Sequence, residues 1–585
     1  MILAENRVPF GKIYVPEDEY ENKESSLWFA AVQLRYYLAR ITIAPFEIEK
    51  ATDETLKGLY LSKTNEYDED GFKITTTDDN QILISGGVRG IMYGAYELLE
   101  IIGCRFFTPD CEKIPTLTKL EIPHIDKVEK PVFKWRELNY TNVRLRQKFI
   151  TMCRLNGYRN VVPDSLGGNL TCSSGCHNFD SLVPFDEYRE THPEYFSFCD
   201  GRRLVEKNDN WQLCLTNPDI IDIAVENARK ILEENPGKKI FSISQNDNDK
   251  NCQCEECLKL DMEEGSAAAA VVKFANAIAE RLENDYPDVL FEVMAYFHSR
   301  PAPKFTKPRK NVMVQLVSSK TCRTHTWENC RQANWHTFRP DGTETFFIDD
   351  LKDWSEIAEN IYVWDYVSFF PFYLNPIPNW RVLQPNLQTL AKYNVKGVFE
   401  MMNGCGLGGG EFNDLRTYLL SKLLWNPYCD IEQHCKEFME YFYGNAAPYL
   451  KQYMDMQCDY VERHNCHYYL QKIDRYPFTS DWWLRRYNKL FDKAEKAVAG
   501  DGIRLVRVQK DRLSIRWVDV YYNDIMDKRY DAENINKFFT DLRAHNITML
   551  DEWCNLERTY RAWMDGLTRG IYYSTPFERD PESLT

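Results

Sequence analysis

The chain has 585 residues, 44% hydrophobic and 27% charged, with a formal net charge of -16. Such a length exceeds one compact core and implies two to four domains. The acidic balance excludes a surface built to bind nucleic acid or an anionic membrane, and no apolar run reaches the roughly 18–20 residues that span a bilayer.

Residues 1–125 read as a small α/β domain. "GKIYVP" is a short strand, "SLWFAAVQLRYYLARIT" an amphipathic helix, and "QILISGG" a buried strand ending in glycine. "VRGIMYGAYELLEIIGCRFFTP" adds a second helix with a glycine stop and a closing strand.

From residue 126 to 412 short apolar strands alternate with helical patterns, which predicts a (β/α)8 TIM-type barrel. The strands are "VFKWREL", "RNVVP", "WQLCLT", "KIFSIS", "LFEVMAY", "NVMVQLV", "IYVWDYV" and "GVFEMM". The third is preceded by a long irregular stretch from Gly167 to Asn210, of the kind that is functional or inserted. From residue 413 to 585 the pattern is helical, and a helical domain packed on the barrel is expected.

Barrel enzymes carry their chemistry at the C-terminal ends of the strands. The fourth strand leads into Gln245, Asn246 and Asp247, the fifth into Tyr296 and His298. The seventh ends in Trp364, Asp365 and Tyr366, and the eighth in Glu400, followed by Asn403 and a glycine-rich run up to Glu411. The first and second strands offer Arg136, Glu137 and Asp164. Carboxylates among amides and aromatic rings are the inventory of a glycoside hydrolase: two carboxyl groups at the scissile bond, hydrogen-bonding partners for hydroxyls, and rings for sugar faces. Taken singly, each acid has an equally good structural reading, as a helix cap or an arginine partner.

Asp247 and Glu400 are the expected catalytic pair, with either one as the acid. Asn246 is a third polar group at the same place, and Asp365 a reserve carboxylate. The expected rim is His177, Trp211, Gln245, Tyr296, Trp364, Tyr366, Asn403 and Glu411. Core packing competes for Trp211 and Trp364, a plain surface position for His177, and helix capping for Glu411.

Of 18 cysteines, three form the C-x-C-x2-C run Cys252, Cys254 and Cys257, just beyond Asp247. They would need a fourth ligand to hold a structural zinc, for which Cys172, Cys176 and His177 are candidates; buried thiols or one disulfide are the other readings. A metal there would stiffen a loop and take no part in the chemistry, and no organic cofactor is expected.

Longer stretches carry a family likeness. "GGVRGIMYGAYELLEIIGCRFFTPD" resembles the N-terminal domain of α-glucuronidases and hexosaminidases, and "HNFDSLVPFDEYRETHPEYFSFCDGRR" with "QLCLTNPD" looks like the α-glucuronidase group. "SISQNDNDKNCQCEECLKLDMEEGS", "YVWDYVSFFPFYLNPIPNWRVLQPNL" and "KGVFEMMNGCGLGGGEFNDLRTYLLSKLLWNP", with the helical tail, resemble glycoside hydrolase family 163 over nearly the whole chain. That family grew out of a domain family of unknown function common in gut Bacteroidetes.

The resemblance implies an endo-β-N-acetylglucosaminidase that cuts the GlcNAc–GlcNAc core of complex N-glycans. The substrate's acetamide would attack the anomeric carbon and give net retention, a recognised exception to the two-carboxylate scheme. In related barrels the acid follows the fourth strand, which favours Asp247 as proton donor and leaves Glu400 to orient the acetamide or assist water. Asp365 stands where α-glucuronidases keep a base. An α-glucuronidase-like glycosidase and a non-catalytic glycan-binding protein are the competing readings. The implied partner is an oligosaccharide or glycoprotein. The sequence start lacks signal-peptide features, so the expected location is the cell surface or periplasm with a signal removed, or the cytoplasm.

Overall fold

A computed structural model describes residues 1–52, 57–158, 161–333, 336–369, 371–470, 475–527, 529–552 and 554–565. The N-terminal region is built on a six-stranded mixed sheet. Its order is Asp126–Glu129, Phe72–Thr76, Gln81–Gly86, Gly58–Lys63, Lys12–Val15 and Ile48–Lys50. Beside the short helix Glu17–Glu21, two longer helices belong to it. Ser26–Thr42 starts where Ser25 Oγ accepts the Trp28 amide at 3.0 Å, and Gly90–Ile102 stops at Gly103, whose φ of 111° only glycine adopts freely.

The central sheet is parallel. Its six strands lie in the order Trp135–Asn139, Gly397–Met401, Asn360–Tyr366, Val312–Val317, Leu290–Ala295 and Ile240–Ser242. Parallel strands covered on both faces read as apolar runs, and these are largely apolar but interrupted by the buried polar residues Arg136, Glu137, Asn139, Glu292, Gln315, Asp365 and Glu400. They curl so that Trp135, Ile240, Met313 and Tyr362 meet on the inner face, while Val314, Leu316, Ile361, Val363 and Val398 join the large core shared with the N-terminal region.

The sheet corrects two expected strands. Of "RNVVP", Arg159 and Asn160 lie outside the described residues and Val161–Pro163 are irregular. Irregular backbone laces this side: the Asn156 amide donates to Arg136 O at 3.1 Å and the Leu170 amide to Asn156 O at 2.9 Å. The place beside Ile240 belongs to Cys172, in an isolated parallel bridge. "WQLCLT" is outside the sheet, and its Leu213 bridges Phe196 in antiparallel fashion. Its alternating apolar residues serve the loop's own packing, and they imitate a strand in sequence.

Towards the C-terminus the described elements are helical: Asn413–Trp425, Ile431–Tyr443, Ala447–Arg463, Asp481–Ala497, Gly502–Asp519, Ala532–Ala544 and Leu556–Met564. A second core joins these helices to Phe107, Phe369, Phe372 and Ile377. Among the described residues no helix is long and apolar enough to cross a membrane.

A buried ion cluster bolts the N-terminal sheet to the first central strand. Asp70 accepts from Arg89, from Arg136 Nη1 at 3.3 Å and from Asn156 Nδ2 at 3.0 Å. Burial raises the Asp70 pKa, but Arg136 and Arg89 outweigh that and hold it below the usual carboxylate range. Removing one partner of such a cluster costs about 3–5 kcal/mol. Asp70→Ala should therefore lose about that much at pH 7 in urea unfolding. A carboxyl lowered in the folded state contributes stability above its unfolded pKa of about 4 and loses it as pH falls further. The gap between wild type and variant should accordingly close below pH 4. A gap unchanged down to pH 2 would disprove the assignment.

Candidate functional site

Asp247 lies in the loop after Ile240–Ser242, exposed at the C-terminal end of the sheet. The Tyr296 phenol, one residue beyond Leu290–Ala295, hydrogen-bonds to it. Burial, then the neighbouring Tyr366, then the Asp247 charge raise the Tyr296 pKa, so this phenol stays protonated and donates. Tyr366 is raised by burial and by the charges of Glu552 and Asp247. Lys320 is mostly buried, which lowers its pKa, and Asp247 partly restores it.

Two residues here were invisible to strand-by-strand reading. Lys320 sits three residues past the end of Val312–Val317, and Glu552 comes from the far end of the chain. The charge of Glu552, like that of Asp247, raises both phenols, Tyr296 and Tyr366. A cleft of about 170 Å³ opens against Tyr296 and Lys320, lined also by Asp249, His298 and Phe338.

Asp365 and Glu400 form a separate, buried tier. They are register partners on adjacent parallel strands. Side chains alternate along a strand, so both share the outer face with Ile361, Val363 and Val398, whereas Trp364, Tyr366, Phe399 and Met401 line the inner one. Asp365 accepts from the Arg323 guanidinium and the Ser318 hydroxyl. Glu400 is 1% exposed, and its Oε2 is buried without a hydrogen-bond partner. Burial, then Asp365, push its pKa well above the usual range, and Arg323 offsets this only in part. Of the expected pair, Asp247 is exposed in its loop, whereas Glu400 is buried on the outer face of its strand. Arg323 links the tiers, with its guanidinium 5.7 Å from the centre of the Tyr366 ring.

The other expected residues divide. His177, at φ 60°, donates Nδ1–H to Gln245 O at 2.7 Å and faces the Tyr296 ring at 6.5 Å, which puts it at the mouth's edge. Gln245 is buried, donating to Ser299 Oγ at 2.7 Å beneath Tyr296. Asn246 spends its amide on Trp211 O at 3.0 Å and braces the loop. The Trp211 ring stacks on Phe185 at 4.8 Å and the Trp364 ring meets Phe399 edge-on at 4.5 Å, so both pack against protein. Asn403 ties the glycine-rich loop, donating to Gly409 O and accepting from Asn413 Nδ2 at 2.6 Å. Glu411 is buried, accepting from the Tyr453 hydroxyl at 2.6 Å and the Ile377 amide at 3.2 Å. These last contacts give Trp211, Trp364, Asn403 and Glu411 structural roles in place of the expected rim, and Asn246, expected as a third group at the catalytic position, spends its side-chain amide on the loop.

The fourth cysteine beside Cys252, Cys254 and Cys257 is Cys214, from the "WQLCLT" segment, and not Cys172, Cys176 or His177. A tetrahedral ion with Zn–S bonds of about 2.3 Å sets its sulfurs about 3.8 Å apart. Cys214 Sγ lies 3.7 Å from Cys254 Sγ and 3.9 Å from Cys257 Sγ. The Phe198 amide points at Cys252 Sγ at 3.3 Å, and Arg203 Nη1 lies 3.6 Å from that sulfur. These four thiols fit a structural zinc.

The family profile described as "Domain of unknown function (DUF4838)" matches residues 106–455, more than half of the chain, and the protein belongs to that family. No protein of curated function matches it. Among solved structures it is similar to a family 89 glycoside hydrolase from Clostridium perfringens in complex with its substrate GlcNAc-α-1,4-galactose. That likeness has 10% identity and a TM-score of 0.52, over 90% of this chain and 65% of that one. A chitobiase of Flavobacterium johnsoniae aligns over 97% of this chain and 96% of its own, at 12% identity and TM-score 0.45. A β-N-acetylhexosaminidase of Bacteroides fragilis aligns over 74% and 90%, at 12% identity and TM-score 0.41.

Glu400 gives a signed pH dependence. A carboxyl whose pKa is raised in the folded state keeps a proton that the unfolded chain releases, so stability falls as pH rises past the unfolded value of about 4.5. Glu400→Gln cannot release it. The melting temperature of that variant relative to wild type should climb steadily between pH 4 and pH 7. A difference independent of pH would mean that Glu400 is ionised in the fold.

Proposed function

We propose that the chain is a glycoside hydrolase acting at N-acetylglucosamine, with Asp247 as its proton donor. The observation that carries this reading is the mouth itself: an exposed carboxylate beside a half-buried phenol, a second carboxylate whose charge acts on the same phenols, and a cleft that opens against Tyr296 and Lys320. Asp247 follows the fourth strand position of the barrel, counting the laced segment near Asn156 and the Cys172 bridge as the second and third. The fold likeness to the Clostridium enzyme, whose substrate carries GlcNAc, is in keeping with this reading.

In the finer reading, supported by the sequence resemblance to family 163, the enzyme is an endo-β-N-acetylglucosaminidase on the GlcNAc–GlcNAc core of complex N-glycans. The acetamide oxygen attacks the anomeric carbon while Asp247 protonates the leaving oxygen, and the aglycone departs. Water then opens the oxazolinium with Asp247, now ionised, as base, and the configuration is retained. Tyr296 orients Asp247, and Glu552 is the second carboxylate, placed to polarise the acetamide. Glu400 and Asp365 support the strand ends from behind. The four-cysteine cluster holds a structural zinc that stiffens the loop carrying Asp247.

Mass spectrometry of a complex-type glycoprotein should show a single GlcNAc left on asparagine. Asp247→Asn should lower kcat about 10²–10⁴-fold with the melting temperature retained. Glu552→Gln should cost about 10–100-fold, and Glu400→Gln less than about 10-fold. A thiazoline mimic of the cyclised acetamide should inhibit. Full turnover by Asp247→Asn would refute the donor assignment. Indifference to the thiazoline would leave a glycosidase that does not use the acetamide.

A further inference from the structure

A second thiol–imidazole cluster lies away from the mouth. Cys322, His325 and Cys330 follow the Val312–Val317 strand, and His467 comes from the turn after the Ala447–Arg463 helix. One ligand atom from each lies within 4.8 Å of the others. Cys322 is buried and the other three are half-buried.

We propose that Cys322, His325, Cys330 and His467 hold a structural zinc ion that clamps the loop after the fourth-listed central strand to the helical region. Zn–S bonds of about 2.3 Å and Zn–N bonds of about 2.0 Å at tetrahedral angles put sulfur and nitrogen about 3.5 Å apart. Cys322 Sγ stands 3.3 Å from His325 Nδ1, and Cys330 Sγ stands 3.6 Å from His467 Nδ1. Two thiolates and two imidazoles suit zinc among the common divalent ions, and four protein ligands close its shell, which makes the site structural and not catalytic. The remaining ring nitrogen of His467 lies 3.4 Å from Asn465 Nδ2; turning that side-chain amide over sets its oxygen to accept the Nε2–H that ligation through Nδ1 leaves.

The surrounding backbone is already drawn together. The Arg323 amide donates to Tyr468 O at 2.8 Å and Thr324 Oγ1 to Cys466 O at 2.7 Å. The ion would complete this seam between segments about 140 positions apart in sequence. It would also fix the residue next to Arg323 and two positions from Lys320, one contributor to each tier of the site. On binding, each thiol gives up its proton to solvent, and no oxidant or reductant is needed.

The test uses the full chain purified without a histidine tag or added metal. Elemental analysis gives zinc per chain, and X-ray absorption gives the ligand shell. With both clusters filled, two zinc ions per chain with an average shell of three sulfurs and one nitrogen are expected. One zinc with two sulfurs and two nitrogens would also support this site, and would count against the four-cysteine one. A sulfur-only shell, no zinc at all, or a Cys322–Cys330 disulfide in peptide mapping would overturn it. His467→Gln and Cys330→Ser should each lose one zinc and the nitrogen scattering, whereas Cys254→Ser should lose a sulfur-only ion. Should any variant fail to fold, the wild-type spectrum still decides.

Discussion

One guanidinium between two buried carboxyl groups is the constraint that ties two neighbouring strands of the central sheet together. Arg323 reaches Asp365 and acts on Glu400, and among the described residues no other cation weighs on Glu400. A single positive charge in a low-dielectric setting stabilises one carboxylate and not two, so the second keeps its proton. Asp365 takes the Ser318 hydroxyl and the guanidinium on one oxygen, and Glu400, buried beside it, is the one held protonated. This arrangement pins the ends of Asn360–Tyr366 and Gly397–Met401 and lays Arg323 along the Tyr366 ring. The floor of the mouth thus inherits its position from charges that never reach solvent.

The separation of tiers follows from strand geometry. Consecutive side chains face opposite sides, so a strand ending in Trp364, Asp365 and Tyr366 can offer its acid or its rings to the interior, but not both. Here the rings face in. The acid at the mouth comes instead from the loop beyond Ile240–Ser242, where backbone freedom lets Asp247 turn outward while Asn246 anchors on Trp211 O. A reading that ranks every acid near a strand end treats the two kinds of position alike. Burial of Glu400 and exposure of Asp247 separate them.

This explains which parts were legible in the sequence. The six strands of the central sheet and the Ser26–Thr42 helix announce themselves by apolar pattern, because their burial is local and periodic. The Cys172 bridge does not, since one paired residue leaves no period to read, whereas "WQLCLT" shows a period and belongs to a loop. Cys252, Cys254 and Cys257 were visible as a spacing. Cys214 was not, because its partners lie some 40 residues away and it sat inside a false strand. Glu552 and His467 are more remote still. Each becomes relevant only when the helical region folds back over the sheet, a long-range event with no local signature.

That fold-back bears on how a mouth made of loops holds still. Ordering a residue costs about 1–2 kcal/mol of backbone entropy, and loops at strand ends gain little from hydrophobic burial to offset it. Two loops here carry mouth groups, the one with Asp247 and the one with Lys320 and Arg323, and each runs directly into a cluster of four soft ligands. An ion in each cluster would supply, within a few residues of the reactive groups, the rigidity that the loops lack by themselves, because metal binding to a preformed site adds directly to folding free energy. It would do so without touching substrate, leaving the mouth free to be polar. A polar mouth of the kind proposed needs donors and acceptors held at fixed spacing, and bracing from behind, by an arginine in one place and an ion in each of two others, would meet that need without filling the cleft.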